Sequence, residues 1–170
     1  MTDGMARRRA TVLSVLTAMI VLGAGVSVWA WSQARAPHGG NVAVADTAAT
    51  AEVSDQVGAA VKQVFSYDYA NLDRTERAAS SLLVDAAVSQ YQASFAAAKQ
   101  QAVDQKLVRT TTIGSIGVRE LTAEEARLLV FVDQQTLNTV TNQQNSSVAA
   151  LEVEARKVDG AWKIAGMTAL

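Results

Sequence analysis

The sequence predicts an α+β domain, with about three helices packed on one face of a curved four-stranded antiparallel sheet, behind a single N-terminal transmembrane helix. Three observations lead to this prediction: an uncharged stretch near the N-terminus, helical periodicity over residues 48–106, and a period of two over residues 107–165. Helices followed by consecutive strands are typical of α+β architecture. The length of 170 residues suits one domain of ordinary size with a membrane attachment.

The N-terminal stretch has the composition of a membrane anchor. Residues Ala10–Trp31 carry no charge, and at about 1.5 Å per residue a helix of this length covers about 33 Å, enough for a hydrocarbon core about 30 Å thick. Positive charge precedes the stretch and tryptophan closes it, as expected for a cytoplasmic flank and an interfacial aromatic belt. The anchor residues in these two groups are Arg7, Arg8, Arg9, Trp29 and Trp31.

The alternative for this stretch is a cleavable signal peptide. The apolar core of a signal peptide usually has about 7–15 residues, and this one is longer. The best cleavage motif, Ala34-Arg35-Ala36, is followed by Pro37, which disfavours cleavage. We therefore predict a single-pass protein of the cell (inner) membrane with a cytoplasmic N-terminus. Its predicted parts are a cytoplasmic tail over 1–9, a transmembrane anchor over 10–34, a linker over 35–47 and an extracytoplasmic domain over 48–170.

The first two helices of the exterior domain follow from periodicity and capping. One helix is predicted over 48–66, because its apolar residues form a single stripe of Val53, Val57, Val61, Val64 and Phe65. The segment 66–73 interrupts that period. Asp73 stands three residues before Glu76, a spacing that predicts a capping box at the start of a short second helix.

A third helix and four strands complete the predicted domain. The helix runs over 84–106 with Tyr91 and Phe95 on its apolar side, and beyond it the period changes to two. Gly114 and Gly117 are the expected bend or bulge points of the first strand. The strands are predicted over 107–119, 127–138, 148–158 and 161–165, joined by a turn at 122–126, a polar hairpin loop at 142–145 and a tight Asp159-Gly160 turn.

Composition excludes several kinds of chemistry. With no Cys and one His, the chain holds no disulfide framework, no HExxH or CxxC zinc site and no thiol nucleophile. The net charge of −1 divides into +3 over residues 1–35 and −4 over residues 36–170, which gives no electrostatic reason to bind nucleic acid. Phosphate-binding loops and nucleophile elbows are absent from the sequence. We expect no catalytic residue, no metal and no cofactor.

Five side chains have the chemistry of a general acid, base or hydrogen-bond donor: Tyr67, Asp68, Tyr69, Tyr91 and Asp133. The Tyr-Asp-Tyr run closes a helix, so we interpret its aspartate as a turn residue and its tyrosines as a cover for the core. We interpret Asp133 as a strand-end carboxylate bonded to its neighbours. A partly buried acid at Asp133 is the alternative, because parity along the strand does not decide its burial.

Several segments of the exterior domain together match a family pattern. They are Phe65–Asp73, Tyr91 with Phe95, Gln105-Lys106, Leu129–Gln134 and Val158–Lys163, spread over roughly residues 50–168. In this combination the chain resembles the Mce-associated membrane proteins of actinobacteria. The resemblance implies a one-pass protein whose exterior domain has the cone-shaped fold of nuclear transport factor two, also called cystatin-like or SnoaL-like. It also implies an accessory role in Mce systems, which import lipids or sterols across the cell envelope.

Three functions are compatible with these observations. The first is a non-enzymatic accessory subunit that associates with and stabilises an Mce-type lipid or sterol import complex, with Mce proteins and associated permease subunits as partners. The second is a lipid-binding module in that pathway, with an apolar cone lined by Tyr67, Tyr91, Phe95, Phe131 and Trp162. The third is an assembly scaffold of a secretion or conjugation system, because VirB8-like subunits share the plan of short tail, anchor and cone-shaped domain. An enzyme is the least favoured function.

Overall fold

A computed structural model describes residues 41–43 and 45–170 of the chain. The predicted cytoplasmic tail, transmembrane anchor and most of the linker, with Arg7, Arg8, Arg9, Trp29 and Trp31, lie outside the described residues. Within the described part, no helix is long and apolar enough to cross a membrane. The elements are α1 (Thr47–Phe65), β1 (Tyr67–Asp68), α2 (Leu72–Leu82), α3 (Asp85–Gln105), β2 (Leu107–Leu121), β3 (Glu125–Asn138), β4 (Gln143–Val158) and β5 (Ala161–Ala169).

One antiparallel sheet with the order β1-β2-β3-β4-β5 confirms the predicted α+β architecture. The predicted number of four strands is wrong, because Tyr67 pairs with Arg109 and Asp68 with Val108 to add a short edge strand. Two residues are too few to establish an alternating period, so the sequence pattern indicates only a break between helices at this position.

The longest strand, β2, is irregular at two positions. Its register with β3 shifts between Ile113 and Ser115, which confirms the predicted bulge at Gly114. The second shift lies between Val118 and Glu120, so the bend predicted at Gly117 is wrong. An added Cβ at Gly117 would meet no atom within 4 Å, and nothing in its surroundings requires glycine.

The hairpin between β3 and β4 is longer than predicted. Gln143, Gln144 and Asn145 pair with the end of β3, so the polar loop predicted at 142–145 is wrong and the turn lies over 139–142. Asn142 adopts the left-handed conformation there, with φ of 56°, which Asn tolerates better than most residues. Because these strand residues are exposed on both faces, their polar composition resembles that of a loop.

The N-cap residues of the helices are only partly predictable from the sequence. Asp46 caps α1 by accepting a hydrogen bond from the Ala49 backbone nitrogen at 2.9 Å. Helix α2 has Asn71 as its N-cap residue, and Asp73 lies in its first turn. The predicted capping box with Asp73 as the cap is therefore wrong.

The core lies between the helices and the inner face of the sheet, the face that the helices cover. The predicted stripe of α1 is confirmed, with Val53, Val57, Val61 and Val64 fully buried, while Phe65 is partly buried. Alternate residues of β3, among them Leu128 and Val130, form the opposing surface. Burial of these branched side chains is the main source of stability for a domain of this size.

The edge strand β5 is covered by polar groups of the helices. Gln56 of α1 accepts a hydrogen bond from the Trp162 backbone nitrogen at 2.8 Å, and Gln90 of α3 accepts one from the Met167 nitrogen at 2.9 Å. The Val84 nitrogen donates to the Ile164 carbonyl at 2.9 Å. These bonds satisfy backbone groups that would otherwise form an open sheet edge.

Candidate functional site

A groove of about 370 Å³ opens between α2 and α3. Its volume lies within the range of about 300–1,000 Å³ that is typical of small-molecule sites. The lining is mostly apolar and consists of Ala79, Leu83, Val88, Tyr91, Phe95 and Ala96. A polar rim is formed by Glu76, Ser80, Gln92 and Lys99. We refer to this feature as the α2–α3 groove.

The groove exists because the facing side chains of the two helices are small. Seven of the 21 residues of α3 are alanine, and α2 contributes Ala79 and Ser80 to the lining. Side chains of this size cannot fill the space between two helix surfaces. The bulk on this side of α3 comes from two aromatic residues one helical turn apart, Tyr91 and Phe95.

Three aromatic rings pack together here, two of them in the groove lining and the third, Tyr67, behind Phe95. The rings of Tyr91 and Phe95 are stacked, with centroids 4.8 Å apart and an interplanar angle of 16°. The ring of Tyr67 in β1 meets Phe95 edge-on at 6.4 Å and 68°. Offset and edge-to-face pairs at such distances stabilise a packed cluster. Three of the five predicted ligand-binding residues are therefore neighbours.

The hydroxyl group of Tyr91 is the unusual polar group of the groove. Tyr91 is only 7% exposed, and its Oη is buried without a hydrogen-bond partner among the residues that the structure describes. Burial raises the pKa of the Tyr91 phenol, and the Glu76 carboxylate raises it further. Native proteins leave few buried polar groups unpaired, because each costs about 1–3 kcal/mol.

An ion pair spans the rim of the groove. The Lys99 ammonium group donates a hydrogen bond to the Glu76 carboxylate and thereby links α3 to α2. This hydrogen bond raises the pKa of Lys99. Both side chains keep about two fifths of their surface exposed. Either charged group can therefore exchange its partner for water or a ligand group without becoming a buried, unpaired charge.

The other two predicted ligand-binding aromatics lie elsewhere. Phe131 is on the outer face of the sheet, opposite the helices, and is 45% exposed. Trp162 is buried against α1, where Gln56 accepts a hydrogen bond from its backbone nitrogen and Lys157 Nζ lies 5.5 Å from its ring centroid. Neither residue lines the α2–α3 groove.

The predicted acid–base candidates are spread over the surface, apart from Tyr67 and Tyr91. Asp68 is exposed and accepts a hydrogen bond from the Ala70 nitrogen at 2.9 Å, which is a turn contact. Tyr69 is partly buried against the core. Asp133 is exposed, and its side chain lies over Gly114, where an added Cβ would lie 2.9 Å from Asp133 Oδ2.

In residues 41–43 and 45–170, no three His, Cys, Asp or Glu side chains group as a metal ion requires.

Sequence reasoning did not single out the rim of the groove. The sequence pattern predicts Glu76 only as a helix-cap residue, and it does not distinguish Lys99 from other polar residues of α3. The two residues are 23 positions apart on different helices, so neither spacing nor periodicity connects them. A charged residue lies three or four positions from Ala79, Phe95 and Ala96, and most exposed helices carry that pattern.

A second surface feature lies on the outer face of the sheet. Cross-strand pairing places Phe131 beside Ala150, and Ala150 in turn accepts a backbone hydrogen bond from Leu170. Val148 and Leu170 are 80% and 72% exposed. We call this surface the outer patch: Leu129, Phe131, Val148, Ala150 and Leu170. Exposed apolar side chains grouped in this way are typical of interaction surfaces.

Ion pairs border the outer patch at one end. Arg119 pairs with Glu152 at 2.8 Å, and Arg127 lies 3.7 Å from Glu154. The polar residues of the β3–β4 hairpin border the other end. An apolar centre with a polar rim matches the organisation of many protein–protein interfaces.

Comparison with known proteins identifies a distant relative but no family. No model of a known protein family matches the chain. An uncharacterized protein of Mycobacterium tuberculosis, found in strains CDC 1551 and H37Rv, is 28% identical over 155 residues, which cover 91% of this chain and 69% of the relative.

Several solved structures share the fold, among them type IV secretion proteins. The periplasmic domain of DotI matches with a TM-score of 0.63 at 11% identity, over 74% of this chain and 97% of that domain. An IcmL-like type IV secretion system protein of Legionella pneumophila matches at 0.62 and 8%, over 71% and 91%. CagV, a VirB8 homolog of the type IV secretion system of Helicobacter pylori, matches at 0.58 and 16%, over 70% and 96%. At these identities the likeness is one of fold alone.

Proposed function

We propose that this protein is a non-enzymatic assembly scaffold of a multi-protein machine in the cell envelope, with its α+β domain on the extracytoplasmic side of the membrane. The observation that carries the proposal is the match of the domain to nearly the whole length of two type IV secretion proteins and of the periplasmic domain of DotI. The predicted short cytoplasmic tail and single anchor complete the same plan. An anchor confines the domain to the membrane surface and raises its effective concentration near its partners.

The outer patch supports a role in protein association. Phe131 projects from the middle of the sheet, between Ser115 on β2 and Ala150 on β4, so small neighbours leave its ring accessible. Aromatic anchors with accessible rings are enriched among residues that dominate binding energy. We propose that a protein partner of the machine docks on this patch.

The α2–α3 groove favours binding over catalysis. A general acid or base works best when its pKa lies near the working pH. Burial raises the pKa of the Tyr91 phenol and so moves it further from neutral pH. The Glu76 carboxylate already accepts a hydrogen bond from the Lys99 ammonium group. These properties support the non-enzymatic part of the proposal.

Affinity purification from native membranes tests the proposal. The tagged full-length chain, cross-linked in its source cells, is expected to recover a reproducible set of envelope-machine subunits identified by mass spectrometry. Phe131→Glu is expected to reduce their recovery at least tenfold, because a charge replaces the apolar anchor. The matched control is Val140→Glu in the β3–β4 turn, where the side chain is 67% exposed and outside the patch. Recovery of no other envelope subunit contradicts the scaffold, and equal recovery with both variants contradicts the docking surface.

The second candidate is the accessory subunit of an Mce-type lipid or sterol import complex. The segments that resemble the Mce-associated proteins favour it, and so does the mycobacterial relative, because Mce systems belong to actinobacteria. The same purification distinguishes the two functions. Mce proteins and permease subunits in the recovered set support the accessory role, whereas subunits of a secretion or conjugation machine support the VirB8-like role.

A further inference from the structure

We propose that the α2–α3 groove binds a small neutral amphipathic molecule, with an apolar body against the two helices and one carbonyl or hydroxyl oxygen that accepts a hydrogen bond from Tyr91. This inference is independent of the scaffold function proposed above, since it concerns a different surface. It also differs from a cone site in the concave side of the sheet, because Phe131 and Trp162 lie outside the groove.

The Tyr91 hydroxyl is held in a position where a ligand oxygen would be its partner. Tyr91 lines the groove, is more than nine-tenths buried, and has an Oη without a hydrogen-bond partner in the described part of the chain. Phe95 stacks on the Tyr91 ring, and Tyr67 in turn meets Phe95 edge-on. The hydroxyl is therefore held in position by packing, and a ligand oxygen in the groove would supply the missing acceptor.

The apolar lining indicates the chemistry and the size of the rest of the ligand. Ala79, Leu83, Val88 and Phe95 offer only carbon surface from their side chains, so they favour a hydrocarbon body. At about 30 Å³ for each water-sized group, a groove of about 370 Å³ holds about twelve non-hydrogen atoms. A medium-length alkyl chain or a compact ring system with one oxygen fits this space.

The charges at the rim favour a neutral acceptor. Glu76 is close enough to Tyr91 to disfavour negative charge on the phenol, and it would likewise repel a carboxylate or phosphate placed beside the hydroxyl. Lys99 is held by Glu76, so an anionic head group would first have to break that pair. A ketone, ester or alcohol oxygen meets neither obstacle.

Photo-cross-linking of the full-length chain in phospholipid nanodiscs tests the proposal. The probe is a ten-carbon ketone that carries a diazirine, and mass spectrometry locates the labelled residues. We expect labelling on α2 and α3 that 2-decanone and decanol suppress at concentrations at least tenfold below those required of decanoate. Tyr91→Phe is expected to raise the concentration of 2-decanone needed for suppression by about three- to tenfold, the loss expected for one hydrogen bond.

Two matched alanine substitutions separate groove binding from general contact with α3. Ala96 lines the groove and Ala97 does not, and both side chains are exposed. Ala96→Phe is expected to abolish the labelling because the ring fills the groove, whereas Ala97→Phe preserves it. Circular dichroism on each variant establishes that the fold is retained.

The remaining outcomes overturn the proposal. Labelling that is confined to residues 1–40, or that is equal in the Ala96→Phe and Ala97→Phe variants, means that the probe reports on the lipid phase. Equal suppression by 2-decanone in the wild type and in Tyr91→Phe means that the hydroxyl binds only an ordered water. Stronger suppression by decanoate than by 2-decanone means that the site is not selective for neutral oxygen.

Discussion

Helices α1 and α3 have similar lengths, 19 and 21 residues, and both face the core of the same domain. Helix α1 buries a stripe of valines, with Val53, Val57 and Val61 fully inaccessible. Helix α3 buries alanines and one aromatic pair, Tyr91 and Phe95. The α1 side therefore buries branched aliphatic side chains, whereas the α3 side has a groove and a Tyr91 hydroxyl without a hydrogen-bond partner among the described residues.

This difference separates stability from binding within one domain. Branched aliphatic side chains of α1 are fully buried against the sheet and support the fold by burial. The α3 interface relies on two large rings with small residues around them, so it encloses less apolar contact and more accessible space. Regions of lower packing density are the parts of a protein from which ligand sites are usually drawn.

A charge on the valine stripe of α1 is expected to have the largest effect. Val57→Asp places an unpaired carboxylate among fully buried side chains, and we expect a loss of more than about 4 kcal/mol, enough to abolish cooperative unfolding. Urea titration followed by circular dichroism measures it. The control is Gln63→Asp on the exposed side of α1. A cooperative transition in Val57→Asp near that of the wild type would show that α1 is not the main support of the fold.

Removal of the stacked ring on α3 is expected to come next. Phe95→Ala removes the partner of both Tyr91 and Tyr67 and is expected to cost about 3–5 kcal/mol in the free energy of unfolding. Phe131→Ala, the same change on the exposed outer patch, is expected to cost less than about 1 kcal/mol. Equal losses in the two variants would contradict the assignment of one ring to the core and the other to the surface.

A smaller effect is expected at the junction of α1 and β2. Thr111 is buried, and its hydroxyl donates a hydrogen bond to the Phe65 carbonyl at 2.9 Å. Thr111→Val leaves that carbonyl unpaired at the end of α1, so we expect a loss of about 1–3 kcal/mol. The adjacent Thr110 is exposed, and Thr110→Val serves as the control. If both variants unfold at the same urea concentration, the hydrogen bond does not stabilise the junction.

The smallest stability effect is expected at the groove, with an unusual sign. Tyr91→Phe removes a buried hydroxyl that has no partner in the described residues. The substitution is expected to be neutral or to stabilise the fold by up to about 1 kcal/mol, since no hydrogen bond is lost and a desolvated polar group is removed. A loss of more than about 1 kcal/mol in urea unfolding would mean that the hydroxyl has a partner in the folded protein.

The same variant is expected to change the dependence of stability on pH. The pKa of Tyr91 is raised in the folded state by burial and by Glu76, while an unfolded tyrosine titrates near pH 10. Between these two pKa values the unfolded chain releases the proton and the folded chain keeps it, so the wild type loses stability as the pH rises above about 10. Unfolding at pH 8 and pH 11 is expected to show a smaller loss in Tyr91→Phe than in the wild type. Parallel losses would contradict the shift.

Much of the fold was predictable because the long elements contain several repeats of their period. Helices α1 and α3 and strands β2, β3 and β5 lie where periodicity places them, with differences at their ends. The errors fall where the pattern is short or ambiguous. Strand β1 has two residues, Gln143–Asn145 have the composition of a loop, and Asp73 follows Asn71, which starts α2.

Less of the candidate site was predictable. Tyr91 and Phe95 were paired correctly because residues four positions apart lie on one helix face. Phe131 was grouped with them because strand parity alone does not tell which face of a sheet is covered. The pairing of Glu76 with Lys99 was not predictable, because charged residues on helices are usually solvent-exposed and no local pattern connects two residues on different helices.

The order of the sequence pattern was sufficient for the α+β class, the order of the four long strands and the identity of the valine stripe, since each depends on interactions within a few residues. The α2–α3 groove, the buried position of the Tyr91 hydroxyl and the outward direction of Phe131 depend on which surfaces meet when the helices pack on the sheet. Those contacts join residues far apart in the chain, and their geometry follows from side-chain volumes on both sides at once. Local periodicity does not predict how those volumes combine.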